Sequence, residues 1–122
     1  WMHEKKADYT NTFCHLMDPN LKKEKIFNEN RFLEWKKRWE ERSLKNNNTS
    51  KKCKELMRSN NPLVIPRNHK IEEALEAAEQ NNLEPMNKIL EILNKPYKEQ
   101  KDIADYQSPS ISDEKYQTFC GT

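Results

Sequence analysis

Glycine is almost missing from this chain: Gly121 is the one glycine in 122 residues. Glycine supplies the left-handed turns and close backbone approaches that tight hairpins and phosphate loops need. A glycine-rich nucleotide loop is therefore excluded, and these residues do not cradle a phosphate that way. Large apolar side chains are also thin, with Leu, Ile, Val and Phe contributing 22 of 122 residues. That lies under the level of about one-fifth at which disorder enters consideration. The companion mark of disorder, a strong net charge, is missing too. Lys plus Arg number 22 against 20 Asp plus Glu, leaving +2. Charges of both signs interspersed in this way suit solvated helix faces and lack the one-signed footprint of a nucleic-acid binder. No apolar run approaches a membrane span and no signal peptide is seen. Neither nucleic acid nor membrane is an expected partner, and a soluble, reducing compartment is the default.

Paired cysteines are missing as well. Cys14, Cys53 and Cys120 are odd in number and far apart, and no Cys-x-x-Cys occurs. His3, His15 and His69 fall into no zinc-ligand spacing, so no metal site is expected. The two glycosylation-type sequons at Asn47 and Asn48 read as an Asn-rich loop. The opening Trp1-Met2 reads as a cut from a longer polypeptide or a residue left by cloning.

What is present is helical periodicity. Helices are expected near 7–17, 28–44, 50–58, 69–81 and 83–94, giving an all-α segment over 1–95. Tyr9, Phe13, Leu16 and Met17 share one face, and Pro19 stops that helix. In "ENRFLEWKKRWEERSL", Phe32, Trp35 and Trp39 form a stripe amid charge. They are either core or a candidate docking surface. Glu34, Glu40 and Glu41 beside them would repel phosphates. Ser50 is available to cap the third helix. Pro62 and Pro66 bracket Leu63, Val64 and Ile65, too short and proline-flanked for a central strand, so an extended connector is expected. Asn68 can cap "HKIEEALEAAEQ" and Asn82 can cap "EPMNKILEIL", whose first turn tolerates Pro85. The short link makes these two helices an αα-hairpin. Ile71, Leu75, Met86, Ile89, Leu90 and Leu93 are its expected core. Residues 96–122 read as an extended, irregular tail.

No constellation of residues amounts to an active site. Cys14 and His15 are adjacent on a helix and do not face each other; Cys14 reads as a small buried hydrophobe. Cys53 has lysines around it that could lower its pKa. His69 reads as a structural histidine at a helix start.

The run "NPLVIPRNHKIEEALEAAEQNNLEPMNKILEILNKPY", with a tail ending "YQTFCGT", closely resembles the C-terminal part of the selenoprotein O (SelO, YdiU) family. "DYTNTF" and "FLEWKKRW" sit where that family has similar elements. Asn61, Pro62, Pro66, Arg67, Asn68 and His69 carry the resemblance and read as structural. It implies a protein adenylyltransferase with a kinase-like fold, which moves AMP from ATP to protein hydroxyls with Mg²⁺ or Mn²⁺. The ATP- and metal-binding motifs of the family lie in upstream lobes, so no catalytic residue carries over and this segment should be inactive alone. Its implied partners are those lobes and, for the whole enzyme, its protein substrates. The resemblance places Cys120 at the family's selenocysteine position and makes it a redox candidate. A bacterial-type member would be cytoplasmic and a eukaryotic one mitochondrial. The competing reading is a stand-alone helical protein-interaction module without catalysis.

Overall fold

A computed structural model describes residues 1–45 and 49–110. The Asn47 and Asn48 sequons, Cys120 and the rest of the C-terminal ending lie outside them. The described residues form helices and no strand: α1 (Tyr9–Met17), a 3₁₀ turn (Lys25–Asn28), α2 (Asn30–Lys45), α3 (Ser50–Asn60), α4 (Asn68–Glu79), α5 (Glu84–Leu93) and α6 (Ala104–Gln107).

Helix α1 starts where Asp8 accepts the Asn11 amide at 2.8 Å, satisfying one of the donors a helix start leaves open. It is buried on several sides and runs between two apolar clusters. Cys14 and Met17 pack with Leu63 on one side, under Leu21, Met57 and Ile103. Leu16 packs with Phe27 and Phe32 on the other, joined by Trp1, Phe13, Ile26, Trp39 and Met57. Met57 of α3 thus touches both. Tyr9, expected on the buried face, is exposed. Asn11 and Thr12 take the buried positions instead, because polar partners await Asn11 there.

The aromatic cluster is continuous. Trp1 lies 4.9 Å from Phe32, and Phe27 and Phe32 are 5.2 Å apart. His15 stacks on Phe27 at 4.2 Å while its Nδ1 donates to the Lys22 carbonyl at 2.8 Å. Cys14 and His15, neighbours in sequence, therefore serve opposite clusters. The Trp1 indole N–H donates to Glu29, which also pairs with Lys5 at 2.8 Å.

Three helix starts differ from expectation by one residue. Thr49, not Ser50, caps α3, its Oγ1 accepting the Lys52 amide at 3.2 Å. The N-cap of α4 is Arg67 rather than Asn68, and it makes no side-chain capping bond. An arginine side chain has donors only and cannot accept the open N–H groups of a helix start, and this one serves elsewhere, as described below. Asn82 does accept the Glu84 amide at 3.1 Å, but Leu83 occupies the N-cap of α5.

Helices α4 and α5 form the expected hairpin. With no glycine available, Asn81 adopts the left-handed conformation that turns the chain, at φ 62°. The Asn82 amide reaches the Ala77 carbonyl and the Asn81 amide that of Ala78, both at 2.9 Å. That pair of bonds is a Schellman ending with asparagine in the glycine position. The hairpin core needs correction. Ala74, Ile89 and Ile92 are buried, whereas Leu75 and Leu90 are 46% and 56% exposed. Ala74 is small enough for a close approach, so the buried seam runs over it. Leu75, one residue on and about 100° around the helix, is turned outward, and Leu90 stands in the same relation to Ile89.

The tail also folds further than expected. Gln100 donates to the Ile92 and Lys95 carbonyls at 3.0 and 2.9 Å, capping the end of α5. Asp102, left-handed at φ 59°, then turns the chain into α6. Gln107 is buried. Sequence composition gave little hint of this return, because Gln107 and its hydrogen bonds hold it together with the apolar anchor Ile103.

Candidate functional site

The polar groups that the fold gathers most closely lie where α1, the connector, α4 and α6 meet. Arg67 stands at the end of the extended connector. From there its guanidinium reaches the Asp8 carboxylate in a two-pronged pair, Nη1 to Oδ2 at 2.7 Å and Nη2 to Oδ1 at 2.9 Å. Nη2 also donates to the Gln107 carbonyl at 2.9 Å. The Arg67 and Asp8 side chains are 12% and 14% exposed. The Asn11 side-chain Nδ2 donates to the same Gln107 carbonyl at 3.2 Å, and the Gln107 side-chain Nε2 to the Leu63 carbonyl at 2.8 Å. Leu63 is held from its other side as well, its N–H donating to the Pro96 carbonyl at 2.7 Å.

The electrostatics match this geometry. Burial pushes the Asp8 carboxyl up, but the Arg67 hydrogen bond, the Asn11 amide and the charges of Arg67 and Lys22 more than offset it. The net effect holds Asp8 below its usual range. Asp8 is therefore an ionised anchor whose lone pairs are engaged, not a base free to take a proton. Burial pushes the nearby Cys14 thiol up, with the Asp8 charge adding to it against Lys22 and Arg67. A thiol with a raised pKa is a poor nucleophile. The assembly holds elements together and has no group placed to attack a substrate.

The residues singled out in sequence are divided by the structure. Arg67 is at the centre of the cluster. Asn61 ends α3, its side chain donating to the Met57 carbonyl at 3.0 Å. The Pro62 carbonyl faces Cys14 Sγ at 3.8 Å. Pro66 and Asn68 are exposed and His69 is half-buried. The aromatic stripe splits. Phe32, at 2% exposed, is core and leaves the candidate docking surface; Trp35 is 42% exposed, and Trp39 lies between these extremes. The Trp35 and Trp39 rings stack at 6.3 Å and 12°. Cys53 is half-buried on α3. Sequence reading missed Asp8, Asn11 and Gln107. Asp8 had a signal, an acidic N-cap ahead of an apolar-periodic run. Gln107 had none.

Among the described residues, no group of three or more His, Cys, Asp or Glu side chains could hold a metal ion. No helix there is long and apolar enough to cross a membrane.

Comparison with known proteins defines the class. The family described as protein adenylyltransferase SelO matches residues 1–94. The chain belongs to this SelO family. It is 50% identical, along all of its length, to a protein nucleotidyltransferase YdiU of Pelagibacter ubique, of which it covers 26%. It is 46% identical, over 99% of its length, to the YdiU of Clostridium botulinum, of which it covers 25%. The chain thus spans about a quarter of the length of the curated relatives it matches. No solved structure matches it.

Proposed function

We propose that this chain is the C-terminal helical part of a SelO-type protein adenylyltransferase and supports the catalytic lobes of that enzyme. The whole protein would transfer AMP from ATP to Ser, Thr or Tyr hydroxyls of protein substrates, in the cytoplasm. The observation that carries this reading is the end-to-end match to a quarter of a nucleotidyltransferase at 50% identity. ATP and Mg²⁺ or Mn²⁺ would be bound by the other three-quarters. Exposed apolar side chains on the helices, Trp35, Leu75, Leu83 and Leu90, favour a supporting role, since such groups commonly mark contact surfaces. Cys120 is the redox candidate of this reading, on the strength of its place in the "YQTFCGT" ending.

The test compares the encoded full-length protein with the 122-residue chain. Each is incubated with α-labelled ATP, Mg²⁺ or Mn²⁺ and a mixture of proteins. Label should pass to protein with the full-length enzyme and stay at the heat-inactivated level with the chain alone. Transfer by the chain alone, or none by the full-length protein, would overturn the proposal.

A further inference from the structure

Residues 96–110 are tied to the helices by a set of hydrogen bonds and by little buried apolar surface of their own, with Tyr106 half-buried beside Ile89 and Ile92. Gln107 is the one buried residue among them, and Ile103 is their one side chain packed on a buried cluster. Other ties include the hydrogen bonds from Gln107 to Leu63, from Arg67 and Asn11 to Gln107, from Leu63 to Pro96 and from Gln100 to the end of α5, and the exposed Arg58–Glu99 ion pair. Water can replace each of them, so each contributes only about 1 kcal/mol net. Asp102 adds a left-handed backbone without glycine, which relaxes if the segment comes free. Other parts of the fold make their main contacts outside this segment. Arg67 keeps Asp8 without it, and the aromatic cluster of Leu16, Phe27 and Phe32 contains none of its residues.

What the segment covers is specific. Ile103 packs on the cluster of Cys14, Met17 and Leu63. Cys14 Sγ lies 3.9 Å from the Leu63 carbonyl, the same oxygen that Gln107 holds. We propose that residues 96–110 are a detachable strap latched by Gln107, and that its release uncovers the Cys14–Met17–Leu63 cluster while α1 to α5 stay folded. The thiol of Cys14 is closed to solvent when the strap is down and reactive when it lifts. Such partial opening belongs to the low end of the range of local stabilities within a fold.

The test is native-state alkylation with N-ethylmaleimide, resolved for each cysteine by peptide mass spectrometry. Cys53, outside the strap, is the internal control. Gln107→Ala should speed labelling of Cys14 by about tenfold, the effect of losing one buried hydrogen bond and stranding its partner. Cys53 labelling and the fluorescence of Trp1, Trp35 and Trp39, which report the aromatic cluster, should stay as in the unaltered chain. An unchanged Cys14 rate would overturn the proposal, as would a parallel rise at Cys53 with loss of the folded tryptophan signal. Hydrogen exchange on the unaltered chain gives an answer that no variant can spoil. The Tyr106 and Gln107 amides should exchange well before those within α1 and the α4–α5 hairpin. Exchange of all of them in one cooperative step would show that the strap opens only with the whole fold.

Discussion

Replacing Arg67 by methionine keeps most of the side chain's apolar length and deletes its guanidinium. Three donated hydrogen bonds go, at 2.7, 2.9 and 2.9 Å, and the Asp8 carboxylate, 14% exposed, is left with the Lys22 charge and no ion-pair partner. Breaking a buried ion pair from one side costs about 3–5 kcal/mol. Asp8 retains some solvent and the Asn11 amide, so the expected loss lies at the low end, about 3 kcal/mol. Asp8→Asn strands the guanidinium in a similar way. The double variant leaves no charge unpaired, so its loss should fall short of the sum of the singles by about 1 kcal/mol or more. Urea unfolding followed by tryptophan fluorescence measures all four proteins. The pH profile supplies a second readout. With its carboxyl held below the usual range, Asp8 contributes stability that is complete above about pH 4 and fades as pH falls through its folded value. In Arg67→Met the hydrogen bond and charge of Arg67 no longer oppose burial, so the carboxyl titrates higher than in the unaltered chain. The stability it contributes is then smaller, and its loss on acidification sets in at a higher pH. Single and double variants that add within about 0.5 kcal/mol, with a pH profile unchanged in Arg67→Met, would refute the ion pair as an anchor.

Ile92→Ala should cost about 2–5 kcal/mol, as expected for a filled core position, and Leu90→Ala about 0.5 kcal/mol or less because the side chain is outside; equal urea midpoints would reject the hairpin seam. Phe32→Ala should cost about 3–5 kcal/mol and Trp35→Ala about 1 kcal/mol, the worth of an exposed aromatic pair. A reversed order would return Phe32 to the surface. Asn81→Ala should lower stability by about 1 kcal/mol, since alanine bears the left-handed backbone less well than asparagine. Thermal unfolding shows this as a lower Tm, and no change would mean the turn is not left-handed.

Much of the helical plan was legible because a 3.6-residue period survives even in a polar chain. The stripe of α5 and the short Asn81-Asn82 link announced the hairpin on their own. Which stripe residues are buried was not legible. That depends on how closely two helices approach, and Ala74 decides it through a size that periodicity does not weigh. Arg67 drew notice only as part of a motif, with nothing local to say that its partner stood 59 residues earlier at Asp8. Gln107 was invisible for a related reason. A buried glutamine leaves no periodic trace, and its worth lies wholly in three-dimensional partners from α1, the connector and α4.

The Asn11–Gln107 bond spans 96 positions of the chain and the Arg67–Gln107 bond only 40. Loop-closure entropy grows as the logarithm of that separation, so joining α1 to Gln107 in an otherwise open chain costs about 0.8 kcal/mol more than joining Arg67 to it. Folding should accordingly run inward from short loops, with the α4–α5 hairpin early and the meeting of α1 with α6 late. The same bond makes the fold nearly circular, since Pro109 lines one surface groove with Met2 and His3. A chain rejoined from residue 110 to residue 1 and opened at the Asn81-Asn82 turn would convert this distant contact into a local one. Such a permuted chain should assemble α1 and α6 first and fold by the reverse route to the same structure.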